Sequence, residues 1–164
     1  MSRSLPARVH DPAVAPSRAS GREAPSEALP RLLWAALALA AVAVLAVARA
    51  LSPDPSGLGT HTQLGLPGCG FLALTSLPCP GCGLTTSFAH MAQSHFAAAF
   101  AAHAVGPLLF ALTALAVPLS LYACLRAWPV VETIERLRLQ GLVLWVSAAV
   151  FFAWLLRLTR LFLG

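Results

Sequence analysis

The sequence contains no lysine, and from Ala50 through Leu125 it contains no arginine either. Charged residues make up only 10% of its 164 residues against 58% hydrophobic ones, where a soluble domain carries about a quarter charged. A water-soluble fold so poor in charge would expose large apolar patches and aggregate. A bilayer removes that difficulty by acting as the solvent for apolar surface. The long apolar runs hold no carboxylate, which argues against a proton- or cation-coupled transporter. There is no internal repeat, and no phosphate loop, nucleophile elbow or zincin helix. The eleven basic residues, all arginine, are not gathered into a patch with interleaved aromatics, which argues against nucleic acid as a partner.

What is present is three apolar runs. Leu32 to Leu51 is interrupted only by Arg49, close enough to one end to snorkel to the interface. About twenty residues at about 1.5 Å each cross a hydrocarbon core of roughly 30 Å. The run is too long for the core of a signal peptide and follows a long tail, so an uncleaved helix is expected. A second run extends from about Ala104 to Leu125, with Pro107 and Pro118 inside it. Neighbouring groups in a membrane re-satisfy the carbonyls a proline frees, so a kinked rather than broken helix is expected. The third runs from Gly141 to about Leu161, with Arg157 and Arg160 near its end. The fold class is therefore an all-α membrane protein with three transmembrane helices.

The expected division follows. Residues 1–30, rich in proline, serine and arginine, form a disordered cytoplasmic tail, and residues 31–51 the first span. Residues 52–94 form an outer loop carrying the cysteines and a short helix. Residues 95–126 form a helix containing the second span, 127–140 a cytoplasmic interfacial helix opened by Pro129, and 141–163 the third span. Arg3, Arg8, Arg18, Arg22 and Arg31 precede the first span, and Arg126, Arg136 and Arg138 separate the second from the third. Arg49, Arg157 and Arg160 alone fall on the other side, so the positive-inside rule puts the N-terminus in the cytoplasm. Trp34 and Trp128 then lie at one common interface.

Chemistry is expected in the loop, whose only formal charge is Asp54. Cys69, Cys79 and Cys82 have the spacing C-x9-C-x2-C. Pro80 fixes one φ and Gly81 permits a positive one, so the turn brings two sulfurs to one side. A helix over Leu84 to Met91 follows, and its N-terminal amides favour a thiolate at Cys82. The arrangement suits a structural turn or disulfide, a metal site, or a redox pair. A disulfide is favoured if the loop faces an oxidising compartment. For zinc, the three cysteines would need a fourth ligand from His61, His90, His95 or His103. His90, His95 and His103 lie near the outer interface, where histidine commonly sits for amphipathic reasons, so none of them alone is expected to be a ligand. Cys124, at the far end of the second span, is expected to be a packing residue.

From Leu77 through Thr85, preceded by Cys69, the chain resembles the bacterial membrane-protein family of domain of unknown function 2752, over about residues 65 to 115. The resemblance implies motif positions at Cys69, Cys79, Cys82, Gly83 and Thr85, in a multi-pass protein of the bacterial inner membrane. It implies no activity. The chain departs from the family's pattern at Thr86, where arginine is usual, and near His95, where an acidic residue commonly follows a glycine. The reading at this stage is a non-enzymatic membrane protein with a structural Cys79-Pro80-Gly81-Cys82-Gly83 turn and no cofactor. Its expected partners are the lipid bilayer and a further membrane protein. The alternative is a zinc-type metal-binding or thiol-redox protein using Cys69, Cys79 and Cys82.

Overall fold

A computed structural model of the chain describes residues 27–136 and 138–163. Most of the tail expected to be disordered, residues 1–26, lies outside the described residues. Among the described residues there are seven α-helices and no strand. They are α1 (Ala28–Ala50), α2 (Gly70–Thr75), α3 (Leu84–Ala92), α4 (Phe96–Ala102), α5 (Gly106–Leu125), α6 (Val130–Arg136) and α7 (Leu139–Leu163), with a 3₁₀ turn over Thr60–Leu64 between α1 and α2. Three of them, α1, α5 and α7, are long and apolar enough to cross a membrane. This is the architecture of a multi-pass membrane protein.

Helix α1 opens with Pro30 in its first turn, where no amide bond is lost, and an exposed Glu27–Arg31 ion pair of 2.7 Å. It stops at Leu51, which turns extended two residues before Pro53. Helices α1 and α5 pack antiparallel. Near the start of α1 and the end of α5, the indole N–H of Trp34 donates to the Trp128 carbonyl at 2.8 Å and the Cys124 thiol reaches the Arg31 carbonyl at 3.4 Å. Ala41, Ala48, Ser120 and Ala123 are buried, because small side chains let two backbones approach where apolar transfer adds little between helices in lipid. The large side chains, among them Leu39, Val44, Leu119 and Leu121, face outward.

The expected single helix over 95–126 is two helices. His95 is the N-cap of α4, as the sequence suggested, but α4 ends at Ala102 and His103 is extended. Pro107 explains the break. Its ring would strike the carbonyl four residues back, at His103, so no helix runs through both. Pro107 sits instead in the first turn of α5, and only Pro118 is interior, within a helix that stays continuous. The break folds α4 back beside α3. The short helix expected after Pro129 is α6, with its Glu132–Arg136 pair and Thr133 bonded to the Pro129 carbonyl. Residue 137, within the expected 127–140 helix, lies outside the described residues.

Helix α7 has no buried residue. It leaves α6 and returns to the cysteine loop, where Trp154 donates to the Pro78 carbonyl at 2.7 Å and Arg157 to the Cys82 carbonyl at 3.1 Å. Three helix ends thus frame the loop, the C-termini of α1 and α7 and the N-terminus of α5.

Candidate functional site

The loop brings three sulfurs together from two segments. Cys69 is the N-cap of α2, a short helix that sequence reasoning did not expect, and Cys79 and Cys82 flank the turn before α3. The three Sγ atoms lie within 4.8 Å of one another, and none of the cysteines is bridged. Cys124 stands at the opposite end of α5, as expected. The backbone amide of Cys82 bonds the Cys79 carbonyl at 3.0 Å and that of Leu84 bonds Gly81 at 3.1 Å, so consecutive turns carry the chain from Cys79 into α3.

The glycine that matters is Gly83. Its φ of +91° is left-handed, and a Cβ there would be driven into the Ala102 carbonyl oxygen and lie 3.0 Å from that of Gly57. Gly81, expected to supply the positive φ, is not among the positive-φ residues, and nothing lies within 4 Å of a Cβ added to it. Pro80 already restricts the first turn, and the sharp redirection falls at Gly83, where α3 must begin against the end of α4.

Below the turn lies a buried polar floor that the sequence did not reveal. Thr60, Thr86 and Ser87 are all at most 1% exposed. The hydroxyls of Thr60 and Thr86 are 2.8 Å apart, Thr60 also accepts the Asp54 amide at 2.9 Å, and Ser87 donates to the Ala99 carbonyl at 2.8 Å. These bonds tie the 3₁₀ turn, α3 and α4 into one support. Ser87 leaves no room for a side chain at Gly106. Gln93 adds a bond of 3.0 Å to the Leu51 carbonyl, fixing α3 to the end of α1. Thr86 is therefore a packed position in this chain. Thr85, one residue earlier, lines the cavity above.

The sulfurs border a cavity of about 600 Å³, walled also by Ser56, His61, Leu72 and Thr85. The thiols are not equivalent. The Leu72 amide of α2, together with the Cys82 and Cys79 thiols, holds Cys69 below the ordinary thiol range, although no full capping bond closes. Burial, followed by the neighbouring Cys79 thiol, pushes Cys82 up to about 12. Cys69, not the Cys82 that its place before α3 suggested, is thus the more readily ionised of these two, stabilised by its neighbours as donors.

The histidines do not join the sulfurs. Among the described residues the only group of three or more ligand-type side chains is Cys69, Cys79 and Cys82. His61 reaches the Pro67 carbonyl at 3.2 Å, and His103, buried, reaches the Pro80 carbonyl at 3.0 Å. His90 and His95 face each other with ring centroids 5.8 Å apart. Only His61 shares the cavity wall.

Four residues escaped the sequence reading. Thr60 and Ser87 lie in unremarkable polar contexts, whereas Trp154 and Arg157 sit on a helix whose apolar run gave no hint of a bond to the loop. Their shared signal was available: an indole and a guanidinium at i, i+3 fall on one face of a helix.

No curated protein and no solved structure matches the chain. Residues 69–117 match the family model described as Protein of unknown function (DUF2752); the matched segment runs from Cys69 into α5 and includes the cysteines, α3 and α4.

Proposed function

We propose that this protein is a membrane-anchored thiolate site for a soft divalent cation of the zinc type, held by Cys69, Cys79 and Cys82. The convergence of three unbridged sulfurs within 4.8 Å carries this reading. Zinc–sulfur bonds of about 2.3 Å in a tetrahedron set sulfurs about 3.8 Å apart, which small rotations of three side chains reach. Three protein ligands leave a fourth position facing the cavity beside His61 and Thr85. Burial disfavours the Cys82 thiolate, and a bound cation offsets that cost, since a coordinating thiol is deprotonated outright. The role is binding rather than catalysis. The arginine distribution supports a cytoplasmic N-terminus with the site on the opposite face, and the resemblance to a bacterial family implies the inner membrane.

The same proximity favours a second reading, a disulfide between two of the three cysteines if that face is oxidising. Metal analysis of detergent-purified protein beside a Cys79→Ser/Cys82→Ser variant separates the two. The proposal expects about one zinc per chain, lost in the variant. Metal-free protein in which reductant exposes two new thiols would instead establish the disulfide.

A further inference from the structure

A second cavity, of about 190 Å³, lies on the other side of the cysteine turn, between α4 and the last turns of α7. Cys79, Pro80 and Cys82 form one wall, Phe100, Ala153 and Leu156 give it apolar surface, and His103, Arg157 and Arg160 give it polar surface. Two arginines three residues apart on one helix face repel each other unless something balances them. The described residues contain nothing that does. Their ion pairs are Glu27 with Arg31 and Glu132 with Arg136. Asp54, the only carboxylate between α1 and α5, is occupied by the Ser56 amide and hydroxyl. Glu132 and Glu135 precede the start of α7, about 27 Å from Arg157 along a helix rising about 1.5 Å per residue.

We propose that this cleft binds the phosphate of an anionic phospholipid headgroup, with Arg157 and Arg160 as its donors. Arg157 is half-buried and is already oriented by its bond to the Cys82 carbonyl. That bond uses one of five guanidinium N–H groups and leaves the rest of the fork for an anion. Arg160 is exposed and makes no side-chain bond among the described residues, so it is free to close over the same phosphate. The cleft is large enough for a headgroup but not for acyl chains. Those would run along the adjoining face of α7, where Phe152, Leu155 and Leu156 stand exposed. A soluble phosphate ion offers the same charge without the chains, and the apolar surfaces beside the arginines favour the lipid. The site needs no metal in the cysteine cradle.

Native mass spectrometry on delipidated full-length protein tests this with defined lipids. Phosphatidylglycerol is expected to be retained about tenfold over phosphatidylcholine, and Arg160→Gln to abolish most of that preference, since a charge-assisted bond contributes about 1.5–3 kcal/mol. Arg160 supports no fold contact, so this variant is expected to keep the helical circular dichroism of the parent. Equal retention of both lipids would overturn the proposal, as would an unchanged preference in a folded Arg160→Gln. Inorganic phosphate displacing phosphatidylglycerol at equal concentration would assign the site to a soluble anion and overturn the lipid assignment. Failure of zinc binding would leave each of these results interpretable.

Discussion

The indole N–H of Trp154 and the carbonyl of Pro78 stand 2.7 Å apart, joining the last spanning helix to the residue before the cysteine turn. Phe71, on α2, packs edge-on against the same indole with centroids 6.4 Å apart. Helix α7 buries nothing of its own, so this contact and the Arg157 bond are what fix its end to the loop. Trp154→Phe keeps the ring and removes the donor. A net loss of about 1 kcal/mol is expected, read as a lower unfolding midpoint in detergent. Faster amide exchange confined to residues 69–83 should accompany it. An unchanged exchange pattern would show that α7 does not hold the loop.

Two glycines in the turn should respond in opposite ways. Gly83→Ala meets a left-handed φ and two carbonyl oxygens, a backbone cost of about 1–2 kcal/mol with overpacking of about 1–3 kcal/mol added. Strong destabilisation or loss of folded protein is expected. Gly81→Ala meets open space at an ordinary φ and should fall within about 0.5 kcal/mol of the parent. Thermal unfolding of the two variants side by side is sufficient, and equal effects would contradict the turn geometry.

Acid should weaken the loop region through His90. Burial lowers its pKa first, and the nearby His95 charge lowers it further. A histidine with a depressed folded pKa leaves the unfolded chain binding more protons over the interval between the two values. Its contribution is therefore complete above the ordinary value of about 6.5 and is lost as pH falls below it toward the folded pKa. On chelated protein, where metal release contributes nothing, the midpoint should fall between pH 7.5 and 5. His90→Gln should flatten that dependence, and a parallel slope in the variant would assign the acid sensitivity to another group.

The three apolar helices were legible because bilayer crossing depends on length and composition, and both survive in a single sequence. Trp34 and Trp128 were placed at one interface from sequence, whereas the bond between them is a product of the fold. The cysteines were legible as a group by spacing alone. Other features depended on partners distant in the chain. Gly83, not Gly81, takes the positive φ because Ala102 passes beside it, and that approach exists only because Pro107 breaks the helix at His103. The break itself was readable from the clash rule, but apolar continuity across residues 95–126 obscured it. Thr86 and Ser87 look like helix-opening polar residues, and only the fold buries them against Thr60 and Ala99. The four candidate histidines were matched to zinc by residue type, whereas the backbone carbonyls of Pro67 and Pro80 engage two of them.

The central claim, a metal held by three cysteines, is tested most directly by zinc X-ray absorption on the purified, zinc-loaded protein. The account predicts a first shell with three sulfurs at about 2.3 Å and one lighter ligand at about 2.0–2.1 Å, falling to one sulfur or to no bound zinc in Cys79→Ser/Cys82→Ser. A first shell of nitrogen and oxygen alone, or zinc bound equally well by the double variant, would contradict it.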